Sequence, residues 1–67
     1  MTNTFVRVAV IRKDGMHYHT DIQGWGSENI AIRLLADAKK DQRILCAVWF
    51  EGTSKDNLEV RQQFWSA

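Results

Sequence analysis

Residues 5–22 read FVRVAVIRKDGMHYHTDI, two alternating runs separated by Lys13-Asp14-Gly15. In the first, Phe5 to Arg12, the β-branched Val6, Val8 and Val10 alternate with Arg7 and Ala9, the pattern of a half-buried strand. The second, Met16 to Ile22, also alternates, so the simplest arrangement of the pair is a β-hairpin. Its register decides the fold, because a slip of one residue sends every side chain of a strand to the opposite face. A two-residue Asp14-Gly15 turn would set Val8 against Asp21, Val10 against His19 and Arg12 against His17, mixing apolar and polar groups on both faces. A three-residue Lys13-Asp14-Gly15 loop, a type I turn closed by glycine in the left-handed conformation, sets Val6 by Ile22, Val8 by Thr20 and Val10 by Tyr18. Arg7 then faces Asp21, an opposite-charge pair that the first register lacks. The second register is therefore expected, with Val6, Val8, Val10, Tyr18, Thr20 and Ile22 on the core face. Phe5, Arg7, Ala9, Ile11, His17, His19 and Asp21 occupy the other.

Downstream of the hairpin, Gly24-Trp25-Gly26 breaks the alternation, with Trp25 expected to fold back onto the core edge. Ser27 has the chemistry of an N-cap, and Glu28 sits where the positive end of a helix favours an acid. Ile30, Ala31, Leu34, Leu35 and Ala38 recur at helical spacing and form one stripe. Arg43 to Glu51 carries an unbroken apolar run from Ile44 to Phe50, as expected of a central strand covered on both faces. Gly52 to Asn57 reads as a polar loop, and Leu58 to Trp65 alternates as a closing strand, although Leu58, Arg61 and Trp65 also fit helical spacing. One domain spanning residues 1–67 is expected, with strands at 5–12, 16–22, 43–51 and 58–65 and a helix at 28–41. The fold class is α+β in ββαββ order: an antiparallel or mixed four-stranded sheet with one helix packed on one face.

Composition narrows the function. The chain has 67 residues, 45% hydrophobic and 25% charged, and nine Lys and Arg against eight Asp and Glu give a net charge of +1. A domain this small buries only about 60% of its unfolded surface and has little room for a catalytic cleft of about 300–1,000 Å³, so an enzyme is not expected. The near-neutral charge argues against gripping duplex nucleic acid through phosphates. The single cysteine, Cys46, excludes an internal disulfide and suggests a reducing compartment. No signal peptide or membrane-length apolar run is present, so a cytoplasmic location without membrane association is expected.

One helix covers one sheet face, which leaves the other open. With Ile44, Cys46, Val48 and Phe50 turned to the helix, Leu45, Ala47 and Trp49 would point outward. Trp65 and Arg61 would join them if Leu58, Val60 and Phe64 point inward. The candidate partner-binding set is therefore Phe5, His17, His19, Trp49, Arg61 and Trp65, the residue types that interface cores concentrate. The bland alternative is a minor second core built by Trp49 and Trp65. A homodimer burying this face would satisfy both readings. His17, His19 and Asp21 share a face but have no third ligand at metal-binding spacing, so neither a metal nor another cofactor is expected. Cys46 with His17 or His19 makes a poor hydrolytic set, because a thiol inside the most apolar run is usually inert packing, and no catalytic residue is assigned. The main rival is single-stranded nucleic acid, with bases stacked on the aromatics and phosphates held by Arg7, Arg61 and Lys13.

In format, as a Met-initiated domain without tail, signal or catalytic set, the chain resembles the small regulators and inhibitors encoded by phages and mobile elements, anti-CRISPR proteins among them. That resemblance implies a non-catalytic module that blocks a surface of a larger protein or ribonucleoprotein complex. The contact expected is the open sheet face together with the Gly52 to Asn57 loop.

Overall fold

In a computed structural model, which describes residues 4–66, the element order is β1 (Phe5–Arg12), β2 (His17–Gln23), α1 (Ser27–Lys40), β3 (Ile44–Ser54) and β4 (Asn57–Trp65). The four strands form one sheet in the order β2-β1-β3-β4, and every neighbouring pair is antiparallel. This is the expected α+β domain in ββαββ order, with the mixed-sheet option removed.

The hairpin register follows from its turn. The Arg12 N–H donates to Met16 O (2.7 Å), the Gly15 N–H donates to Arg12 O (3.0 Å), and Gly15 adopts φ +92°, which favours glycine. Val6 consequently lies by Ile22, Val8 by Thr20 and Val10 by Tyr18, with Arg7 opposite Asp21. The three-residue Lys13-Asp14-Gly15 turn thus sets which residues of β2 join the apolar face of β1.

That face of β1 packs on α1. Val6, Val8 and Val10 join Ala31, Leu35 and Ala38 of the helix and Ile44, Ala47 and Trp49 of β3 in one core, flanked by Ile22, Leu34 and Phe64. Fully buried alanines at 31 and 47 keep side-chain bulk low where helix meets sheet. The helical stripe is narrower than its sequence suggests. At roughly 100° per residue, Ala31, Leu35 and Ala38 cluster, whereas Ile30 and Ile32 fall on either flank. Both isoleucines are exposed. The helix also starts differently: Gly26, at φ +88°, is the N-cap with no side-chain cap, and Ser27 is a buried first-turn residue instead. Trp25 does not fold back; it is fully exposed.

Two bulges decide which side chains of β3 and β4 face the helix. Ile11 pairs with Cys46 but Arg12 pairs with Ile44, so Leu45 is an extra residue. This lets Ile44 face the helix together with Ala47 and Trp49, and turns Cys46, Val48 and Phe50 to the other side. The outward placement expected for Ala47 and Trp49 is therefore reversed. In β4, Gln62 pairs with Trp49 and Val60 with Phe50, leaving Arg61 as the extra residue. Phe64 stays on the helix side as expected, but Leu58 and Val60 move to the open face. β3 also runs on to Ser54, and the expected Gly52 to Asn57 loop contracts to a Lys55-Asp56 turn. Gly52 permits this closure, because a Cβ there would overlap the carbonyl oxygen of Asn57.

Asp41 joins α1 to β3. Its N–H donates to Ala38 O (3.2 Å), its Oδ1 accepts from the Arg43 N–H (3.0 Å) and Nε (3.1 Å), and its carbonyl accepts from the Ile44 N–H (3.1 Å). The Arg43 side chain, then the Arg43 backbone N–H, lower the Asp41 carboxyl to about 2. A folded-state value below the unfolded one, about 3.9, stabilises the fold above pH 4, and the contribution disappears as pH falls through about 2. Asp41→Asn is expected to lower the urea midpoint at pH 6. The gap from the parent should close steadily between pH 4 and pH 2, in midpoints measured across that range.

Candidate functional site

The face away from the helix is built by alternate residues of all four strands. Phe5, Arg7, Ala9 and Ile11 of β1 lie opposite Gln23, Asp21, His19 and His17 of β2 on one side and Gly52, Phe50, Val48 and Cys46 of β3 on the other. β4 continues the face with Leu58, Val60, Gln63 and Trp65. An apolar band therefore crosses the sheet from Phe5 and Ile11 through Val48 and Phe50 to Val60 and Trp65, and no described element covers it. Trp65 is 61% exposed and Val60 55%.

Of the six candidate partner-binding residues, Phe5, His17, His19 and Trp65 come together on this face. Trp49 and Arg61 do not. Trp49, opposite Val8, is 2% exposed in the core beneath the helix side of the sheet. Arg61, displaced by its bulge, also turns to the helix side, where its guanidinium sits 4.9 Å from the centre of the Trp49 ring. There it donates to Glu51 Oε2 and, at 3.0 Å, to Glu28 Oε1, tying β4 to β3 and to the first turn of α1. The Glu51 hydrogen bond, more than any other contact, raises the Arg61 pKa. The Trp49 Nε1–H is buried without a hydrogen-bond partner. The positions that sequence reasoning missed are Val48, Phe50, Leu58 and Val60. Every residue from Ile44 to Phe50 is apolar, so alternation within that run carries no sign of which parity faces out.

The polar edge of the face is an ion-pair cluster. Arg7 donates from Nε to Asp21 Oδ1 (2.7 Å) and from Nη2 to Asp21 Oδ2 (3.1 Å), a bidentate pair. His19 Nε2 lies 3.8 Å from Asp21 Oδ2. The Arg7 hydrogen bonds lower the Asp21 pKa, and the same pair raises that of Arg7. Lys55 and Asp56, at the β3–β4 turn, are near enough to act on this pair. Among the described residues, no three His, Cys, Asp or Glu side chains converge as a metal site. Cys46 is a buried free thiol between Ile11 and Trp65 in the strand pairing.

On the helix side, Tyr18 and Thr20 of β2 face Leu34, Asp37 and Asp41 across a groove of about 140 Å³ floored by Val8, Val10 and Ile44. No described helix is long and apolar enough to cross a membrane. Comparison with family models, with curated proteins and with solved structures gives no significant match to this chain.

The two tryptophans should respond differently to truncation. Trp49→Ala empties the centre of the core and is expected to cost about 3–5 kcal/mol, a large part of a small domain's stability. Trp65→Ala should change it by no more than about 1 kcal/mol. Urea denaturation of both variants, followed by circular dichroism, measures the contrast.

Proposed function

We propose that this protein is a non-catalytic protein-binding module that acts by docking its open sheet face on a larger protein, in the manner of a small regulator or inhibitor. The observation that carries the reading is the apolar band from Phe5 through Phe50 and Val60 to Trp65, which no described element covers, while α1 packs on the opposite face. Four strands about 4.8 Å apart and roughly eight residues long frame a face of roughly 500 Å². Part of that area is the polar edge of Arg7, Asp21, His17 and His19, and the rest is the contiguous apolar band; contiguous apolar patches that monomers keep exposed are often functional. Trp65 and Phe5 supply aromatic anchors, and His17, His19 and the Arg7–Asp21 pair form a polar rim. Trp49 and Arg61 serve this face indirectly, by fixing β3 and β4 against the helix.

Single-stranded nucleic acid fits this surface less well. Arg7 is the one Lys or Arg among the described residues of the face, and both oxygens of Asp21 engage it. Arg61 is committed to Glu51 and Glu28 on the opposite side. Stacking would therefore lack the electrostatic contribution that dominates such binding. The helix-side groove is smaller than the pockets that enclose substrates, in keeping with a non-catalytic role.

The test uses the intact chain as bait with two surface variants, Trp65→Ala and Val60→Glu, and a control, Arg33→Glu, on the exposed side of the helix. A partner held by the parent and by the control but lost by both open-face variants supports the reading. Equal capture by all four baits removes it. Retention on single-stranded DNA or RNA that weakens steeply with added salt would replace it with the nucleic-acid reading.

A further inference from the structure

The two edges of the sheet are not alike. At one edge, β4 carries the Arg61 bulge and the charges of Glu59 and Arg61, devices that blunt an edge against pairing. At the other, β2 is seven residues long with no bulge: its register to β1 runs unbroken from Phe5↔Gln23 to Ile11↔His17. It contains no Lys, Pro or Gly, and its single charge, Asp21, is neutralised by Arg7. Among the described residues no strand lies beyond it.

The phase of that free edge follows from the hairpin. Arg12 N–H donates to Met16 O and Gly24 N–H to Thr4 O, so the even-numbered residues of β2 direct their backbone groups inward to β1. His17, His19, Asp21 and Gln23 direct theirs outward. Two copies of β2 can hydrogen-bond only in registers that set these odd-numbered residues opposite one another. Centring on Asp21 would oppose two carboxylates, and centring on His19 would oppose two imidazoles. Centring on Thr20 sets His19 opposite Asp21, Tyr18 opposite Ile22, His17 opposite Gln23 and Thr20 opposite itself. Each is a favourable cross-strand combination: a carboxylate with an imidazole, an aromatic with a β-branched residue, and a hydroxyl pair on the axis. Asp21 has acceptor capacity beyond its two bonds from Arg7.

We propose that β2 pairs with β2 of a second copy, antiparallel and centred on Thr20, to give a two-fold dimer with one continuous eight-stranded sheet. The axis stands normal to the sheet, so both helices lie on one side and both open faces on the other, joined side by side. The bulged β4 edges end the sheet at both margins and close the assembly at two. The pairing leaves the apolar band free and shares with the docking face only the rim residues His17, His19 and Asp21.

The experiment combines sedimentation with register-specific cross-linking of the full chain. The parent is expected to show a concentration-dependent monomer–dimer equilibrium, unchanged by Val60→Glu. His19→Asp, which opposes two carboxylates at each end of the pairing, should raise the dimer dissociation constant about tenfold, while His19→Lys retains it. Thr20→Cys, at the non-hydrogen-bonded pair on the axis, should form an intermolecular disulfide under mild oxidation much faster than Lys55→Cys at the hairpin tip. A monomer at every concentration up to about 1 mM overturns the proposal. So does equal cross-linking of the two cysteine variants, or a dimer abolished by Val60→Glu and untouched by His19→Asp.

Discussion

A 14-residue helix is about 21 Å long and roughly 10 Å across, so it covers about two strands of a sheet whose strands lie about 4.8 Å apart. The rest of this molecule follows from that coverage. Helix α1 sits over β1 and β3, the central pair, and the core is confined to their shared face: Val6, Val8 and Val10 against Ala47 and Trp49. The inner face of β2 is left as a groove beside Tyr18 and Thr20. The inner face of β4 is closed by Arg61, which spans Trp49, Glu51 and Glu28 where a second helix would otherwise lie. Among the described residues, no element covers the outer face of the sheet.

The bulges at Leu45 and Arg61 make this economy work. A strictly alternating β3 would have sent either Ile44 or Trp49 outward, because five positions separate them. The extra residue at Leu45 brings both into the core, which gains its largest side chain. The cost is that Val48 and Phe50 face away, and the bulge in β4 adds Leu58 and Val60 to them. The apolar band on the outer face is thus a consequence of how the core was filled, and an apolar band of this kind is a natural place for a partner to dock.

Much of the architecture was legible in the chain. The hairpin register followed from one polar turn and one opposite-charge pair, Arg7 with Asp21, because in a strand alternation of apolar and polar residues reports the face directly. The helix followed from Ala31, Leu35 and Ala38, and the strand character of Leu58 to Trp65 from its alternation. Half of the candidate site was legible on the same ground: Phe5, His17 and His19 belong to the hairpin whose parity the sequence marks. Trp65 reached the open face as expected, beyond a bulge that displaced its neighbours.

What the sequence determined, then, was the set of elements, the facing of the β1–β2 hairpin and the placement of Phe64 and Trp65. What only the tertiary structure decided was the facing of β3 and of the first half of β4, hence the burial of Trp49 and the turning of Arg61 to the helix side. The physical reason is that an unbroken run such as Ile44 to Phe50 pays no penalty for burying either parity. The choice is made by distant packing, where the helix supports one large aromatic and a bulge costs less than leaving Trp49 in water.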